Sequence, residues 1–165
     1  MKNAASKNTV VLAILGLVTA FASIVYSHCQ LPCGIYGDSA RFDSLAEHIT
    51  TIEKSMKMLT ELTKQDKPNM NQIVRWVQNK EKHADEMSDI ITHYFMAQRI
   101  KPALKTNGKE YDEYVKKLTL LHKMLVCSMK AKQTTDLANV EKLRSLWAEF
   151  HSVYFGETDH SRHKH

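Results

Sequence analysis

Glycine and proline are scarce in this 165-residue chain, five and three respectively. Their scarcity argues against an all-β fold, in which every hairpin needs turn chemistry. Val, Ile and Thr never run in strict alternation, so the period-two signature of half-buried strands is missing as well. Phosphate-cradling glycine loops, a serine nucleophile elbow and histidines paired at zinc-ligand spacing are all absent, which removes support for nucleotide-binding and hydrolase chemistry. There is no internal repeat. Charge of one sign is also in short supply: 23 Lys and Arg stand against 18 Asp and Glu, a formal +5. The lysines are spread among acids as on a solvated surface, and no basic helix face with interleaved aromatics occurs, so nucleic acid is not an expected partner. What remains, 43% hydrophobic and 25% charged, is the composition of one ordinary globular domain with helix as the default.

One long apolar run exists. Residues 10–25 carry no charge and follow Lys2 and Lys7, the layout of a signal peptide. Val25 and Ser27 stand three and one residues before the Ser27-His28 bond, as a signal peptidase pocket requires. Residues 1–27 are therefore expected to be removed, leaving an exported chain (periplasm, lumen or extracellular) that begins at His28 and keeps no stable membrane association. An uncleaved anchor is the competing reading, the run of 16 residues being a little short of the roughly 20 that span a bilayer. Cleavage takes away two lysines and no acids, so the formal charge falls from +5 to +3.

Residues 37–156 read as four amphipathic helices. The first, over residues 39–64, repeats Phe42, Leu45, Ile49, Ile52, Met56 and Leu59 at three-four spacing, a continuous core stripe. A break at Lys67-Pro68-Asn69 precedes a second helix carrying Ile73, Val77, Ala84, Met87, Ile91 and Tyr94, ending before Pro102 and unusually polar from Asn79 to His83. After the loop around Asn107-Gly108, a third presents Tyr111, Tyr114, Leu118, Leu121 and Leu125, and a fourth Leu137, Val140, Leu143, Trp147, Phe150 and Tyr154. Short connections make consecutive helices antiparallel neighbours, and burying every stripe at once gives an all-α, up-and-down four-helix bundle.

A bundle says nothing about chemistry, which must come from sites. Between the expected cut and the first helix, residues 28–36 read His28-Cys29-Gln30-Leu31-Pro32-Cys33-Gly34-Ile35-Tyr36. Cleavage would place a free α-amine beside the His28 imidazole. A metal can then bind that amine, the next peptide nitrogen and the Cys29 thiolate in fused chelate rings, while a turn at Pro32 returns Cys33 to complete a plane. Two thiolates with two nitrogens in a plane suit Ni(II) or Cu(II), whereas structural zinc prefers a tetrahedral set. Copper binds such donors at least as tightly, so cellular supply decides between the two. In an exported protein a Cys29-Cys33 disulfide is the alternative.

The H-C-x-x-P-C-G-x-Y pattern followed by four helices resembles the nickel superoxide dismutase family and its nickel hook. The resemblance implies a homohexamer of four-helix bundles with one nickel ion per subunit, held by the His28 amine, the Cys29 amide nitrogen and the Cys29 and Cys33 thiolates, with the His28 imidazole axial in the oxidised state. It implies superoxide as substrate, dioxygen and hydrogen peroxide as products, Ni(II)/Ni(III) cycling, and Tyr36 above the open face. A maturation protease and a nickel-loading factor are implied partners. Asp43 takes the place of a family acid that orients the axial imidazole, and Tyr94 aligns with a family tyrosine that would support Tyr36, although each also reads as an ordinary surface or core residue. The family arginine that pairs with the acid is replaced by Asn79, with Arg75 or Lys80 as substitutes.

Other features are assigned no chemistry. Cys127 reads as a packed thiol. His48, His83, His93, His122 and His151 stand singly on expected helices, and His160, His163 and His165 belong to a polar tail, residues 157–165, read as disordered. The alternatives to a dismutase are an exported helical-bundle interaction protein with a Cys29-Cys33 disulfide, and a metal carrier with the same ligands and no turnover.

Overall fold

The computed structural model describes residues 37–156, and every described element is helical. Helix α1 spans Asp38–Thr63, α2 Met70–Asp89, α3 Lys109–Gln133 and α4 Ala138–Phe155. A π-helical segment, Ile90–Arg99, continues α2, and a single 3₁₀ turn, Lys105–Asn107, precedes α3. None of the described helices is long and apolar enough to cross a membrane.

Cross-helix contacts fix the arrangement. Phe42 meets Phe95 and Ser55 meets Asn79, so residue numbers rise on α1 as they fall on α2. Ala84 pairs with Ser128, and Lys80 with Ala131, in the same sense between α2 and α3. Lys116 faces Glu149 across α3 and α4, and Asp38 and Glu53 of α1 meet Tyr154 and Arg144 of α4, which closes the ring. This is the antiparallel four-helix bundle expected from the short connections.

The apolar stripe of α1 is buried along its length, with Phe42, Leu45, Ile49, Ile52 and Met56 at 0–1% exposure. Met87, Ile91, Leu121, Met124, Leu143 and Phe150 meet it in one core. Burial on this scale is the main source of the fold's stability. The stripe expected on the second helix departs from this at its start. Val77 is 39% exposed and Ile73 half-buried, because the first turns of α2 overhang the bundle with Met70 and Val74 also exposed. Two caps fix the ends: the Asn69 side chain accepts from the Gln72 amide at the start of α2, and buried Lys80 closes the end of α3. Its ammonium donates to the carbonyls of Ala131, Lys132 and Thr134, acceptors a helix C-terminus leaves unpaired.

At one pole the core is aromatic. Phe42 lies 4.9 Å from Phe95 and 5.1 Å from Phe150, ring centre to ring centre, and the Trp147 indole N–H donates to the Phe42 carbonyl at 3.0 Å. Tyr94 and Phe95 are both buried although adjacent in sequence.

Candidate active site

His28, Cys29, Cys33 and Tyr36 lie outside the described residues, as do residues 1–27 and the 157–165 tail. The described chain begins at Gly37, directly after the hook motif, and its second residue organises the aromatic pole. Asp38, in the first turn of α1 where the helix dipole favours negative charge, accepts three hydrogen bonds from distant parts of the chain. The Tyr94 hydroxyl donates to Oδ1 at 2.6 Å, the Tyr154 hydroxyl to Oδ2 at 2.8 Å, and Arg99 Nε to Oδ1 at 2.8 Å. Arg99 Nη2 also donates to the Tyr94 oxygen at 2.9 Å.

Partial burial alone would raise the Asp38 carboxyl. The two tyrosine hydroxyls and the Arg99 guanidinium outweigh it and hold the group below its ordinary value. Tyr94 and Tyr154 move the other way, raised first by burial and then by bonding to a carboxylate. The arrangement is thus an ionised acid, two protonated phenols and a fixed cation. Beside it opens a cleft of about 580 Å³ lined by both charges, Arg99, Lys101 and Lys117 with Glu110 and Glu113, and by Tyr154.

Of the residues singled out by sequence, Tyr94 belongs to this cluster and is 6% exposed. Asp43 does not: it is exposed on α1, five residues and therefore about 140° around the helix from Asp38. Asn79, at the aligned position, and the two suggested basic substitutes, Lys80 and Arg75, are placed elsewhere. Asn79 donates to Ser55 at 3.0 Å, Lys80 is occupied at the end of α3, and Arg75 is exposed. At this pole Asp38 pairs with Arg99, a contact that sequence reasoning missed. A hint was available in an acidic first-turn residue immediately after the hook, but nothing local links it to a residue 61 positions away.

Cys127 is a half-buried free thiol packed against the core. The expectation that the helical histidines stand singly is overturned for two of them. Antiparallel pairing of α1 and α2 brings His48 Nδ1 to 2.8 Å from His83 Nδ1, with Glu86 beside both. Burial first, then the neighbouring His83, lowers the His48 pKa against the opposing pull of Glu86 and Glu47. His93 and His122 are exposed, and His151 packs half-buried against Phe42.

Residues 23–158 match the family model of nickel-containing superoxide dismutases. The chain belongs to that family. Neither the curated proteins nor the solved structures contain a match. The matched region includes both the hook motif and all four helices. Membership makes the protein an oxidoreductase that disproportionates superoxide with nickel as its cofactor, in place of a turnover-free interaction module or carrier.

Proposed function

We propose that the chain is cut at Ser27-His28, that the new terminus forms a hook holding one nickel ion per subunit, and that the mature dismutase is exported and assembles as a homohexamer. The observation that carries this reading is the His28-Cys29-x-x-Pro32-Cys33-Gly34-x-Tyr36 pattern inside the family match, ending two residues before Asp38. The donors fit the metal. The His28 amine and imidazole, the Cys29 amide nitrogen and thiolate and the Cys33 thiolate offer a mixed nitrogen and sulfur set suited to nickel. When bound, nickel supplies a one-electron couple that anionic thiolates and a deprotonated amide bring within biological reach.

The chain's own residues divide the work. His28, Cys29 and Cys33 hold the ion, with Pro32 turning the backbone between the two cysteines and Gly34 directly after them. Tyr36 controls access to the open face. Chain connectivity keeps Tyr36 within about 7 Å of Asp38, and the bonds from Tyr94, Tyr154 and Arg99 anchor Asp38, so Tyr94 acts as a positioning residue for Tyr36. Asp43, exposed in the second turn of α1, keeps the role of orienting the His28 imidazole that the family resemblance implies for it.

The test is intact mass and metal content on protein purified from its native host, with size measured in solution. A chain starting at His28, about one nickel per subunit and a sixfold assembly are expected. An uncut chain, or a metal-free one that is two protons light from a Cys29-Cys33 disulfide, would overturn the hook. A monomer would overturn the hexamer alone. Processing by a dedicated protease and loading by a nickel-delivery factor are part of the same proposal, as is export through the apolar segment at residues 10–25.

A further inference from the structure

We propose that His48, His83 and Glu86 form a second divalent-cation site, suited to Zn(II), that fastens α1 to α2 at mid-bundle. Among the described residues these three are the group whose ligating atoms converge, all within 4.8 Å of one another. His48 Nδ1 and His83 Nδ1 are 2.8 Å apart, and Glu86 Oε2 lies 3.7 Å from the first and 3.5 Å from the second. Metal–nitrogen and metal–oxygen bonds of about 2.0–2.1 Å at tetrahedral angles require ligand atoms roughly 3.3 Å apart. The three observed edges bracket that value, so an ion at their centre needs only small side-chain rotations.

The chemistry of the set agrees with its geometry. Two imidazoles and one carboxylate are an established zinc donor set, completed by water in the fourth position. The site is half-exposed, with side-chain exposures of 14% for His48, 25% for His83 and 39% for Glu86, which leaves a path for the ion and its water. Glu86 and His83 share one face of α2 at i, i+3 spacing. The other carboxylate oxygen, Oε1, is 3.6 Å from Lys82 Nζ, which biases Oε2 toward the imidazoles as outer partners of metal ligands do. A lone imidazole pair would satisfy one nitrogen by donating from the other, whereas a cation satisfies three lone pairs at once. The site is distinct from the hook. His48 stands ten residues beyond Asp38 on α1, about 15 Å along the helix, and none of its donors is a nickel ligand.

The experiment is a Zn(II) titration of the full-length chain, read by metal content after desalting and by thermal midpoint. It is run on wild type, on His83→Gln, on Glu86→Gln and on the Cys29→Ser/Cys33→Ser double variant. We expect one zinc equivalent and a raised midpoint in wild type and in the double cysteine variant, and loss of both in His83→Gln, with circular dichroism reporting that the bundle is intact. Weakened zinc retention in Glu86→Gln would confirm the carboxylate as a ligand. If His83→Gln retains as much zinc as wild type, the ion belongs to the tail histidines or the hook and the proposal is overturned. A wild-type chain that retains none overturns it as well. Because the cysteine variant lacks the hook thiolates, failure of the hook and failure of this site give different results.

Discussion

Arg99 lies with its guanidinium 4.7 Å from the centre of the Tyr94 ring and donates through Nη2 to the same residue's hydroxyl at 2.9 Å. The two are five residues apart, a spacing that diverges by about 140° on an α-helix. The π winding of Ile90–Arg99, closed by the Ile100 amide donating to the Phe95 carbonyl at 2.9 Å, brings them nearly above one another so that both reach Asp38. π turns of this kind recur at functional sites, and here the segment brings Tyr94 and Arg99 to the first turn of α1.

Replacing Asp38 with Asn should destabilise the bundle by about 1–3 kcal/mol at neutral pH, since it removes the charge that two phenols and a guanidinium face. The folded-state pKa of Asp38 is depressed below 3.8, so its contribution is fully present above that value and is lost as pH falls through the folded-state pKa. Urea unfolding at pH 6 and pH 3 checks this. The gap between wild type and Asp38→Asn should narrow at the lower pH, and an unchanged gap would show that the residue acts by shape alone.

Tyr94→Phe and Tyr154→Phe should each cost about 0.5–1.5 kcal/mol. Because both hydroxyls donate to one carboxylate, the double variant should depart from the sum of the singles. A denaturation double-mutant cycle measures the coupling, and strict additivity would mean that the two bonds are independent. If Tyr94 also positions Tyr36, superoxide decay should slow in Tyr94→Phe more than in Tyr154→Phe.

Lys80→Met leaves the carbonyls of Ala131, Lys132 and Thr134 without their shared donor. A loss of roughly 2–3 kcal/mol is expected, with hydrogen exchange accelerating first at the end of α3. Unchanged exchange there would mean that water replaces the ammonium at no cost.

Cys29→Ser or Cys33→Ser should bring superoxide decay down to the uncatalysed rate and abolish nickel retention, with the helical circular dichroism spectrum unchanged. Retained activity in either variant would remove that cysteine from the ligand set.

The sequence alone determined whatever is periodic or local. Three-four spacing along residues 42–59 made α1 and its core face legible, as Lys67-Pro68-Asn69 did the break before α2. The hook motif lies within nine consecutive residues, so its donors could be read without any fold. Only the tertiary structure decided which distant polar side chains meet. Asp38 joins Arg99 across 61 residues and Tyr154 across 116, and His48 joins His83 across 35. Those meetings depend on the antiparallel register of packed helices and on a change of helical winding after Asp89. Neither leaves a period in the sequence, because one partly buried carboxylate or one imidazole pair occurs once, where helices cross, and nothing repeats on either side of it.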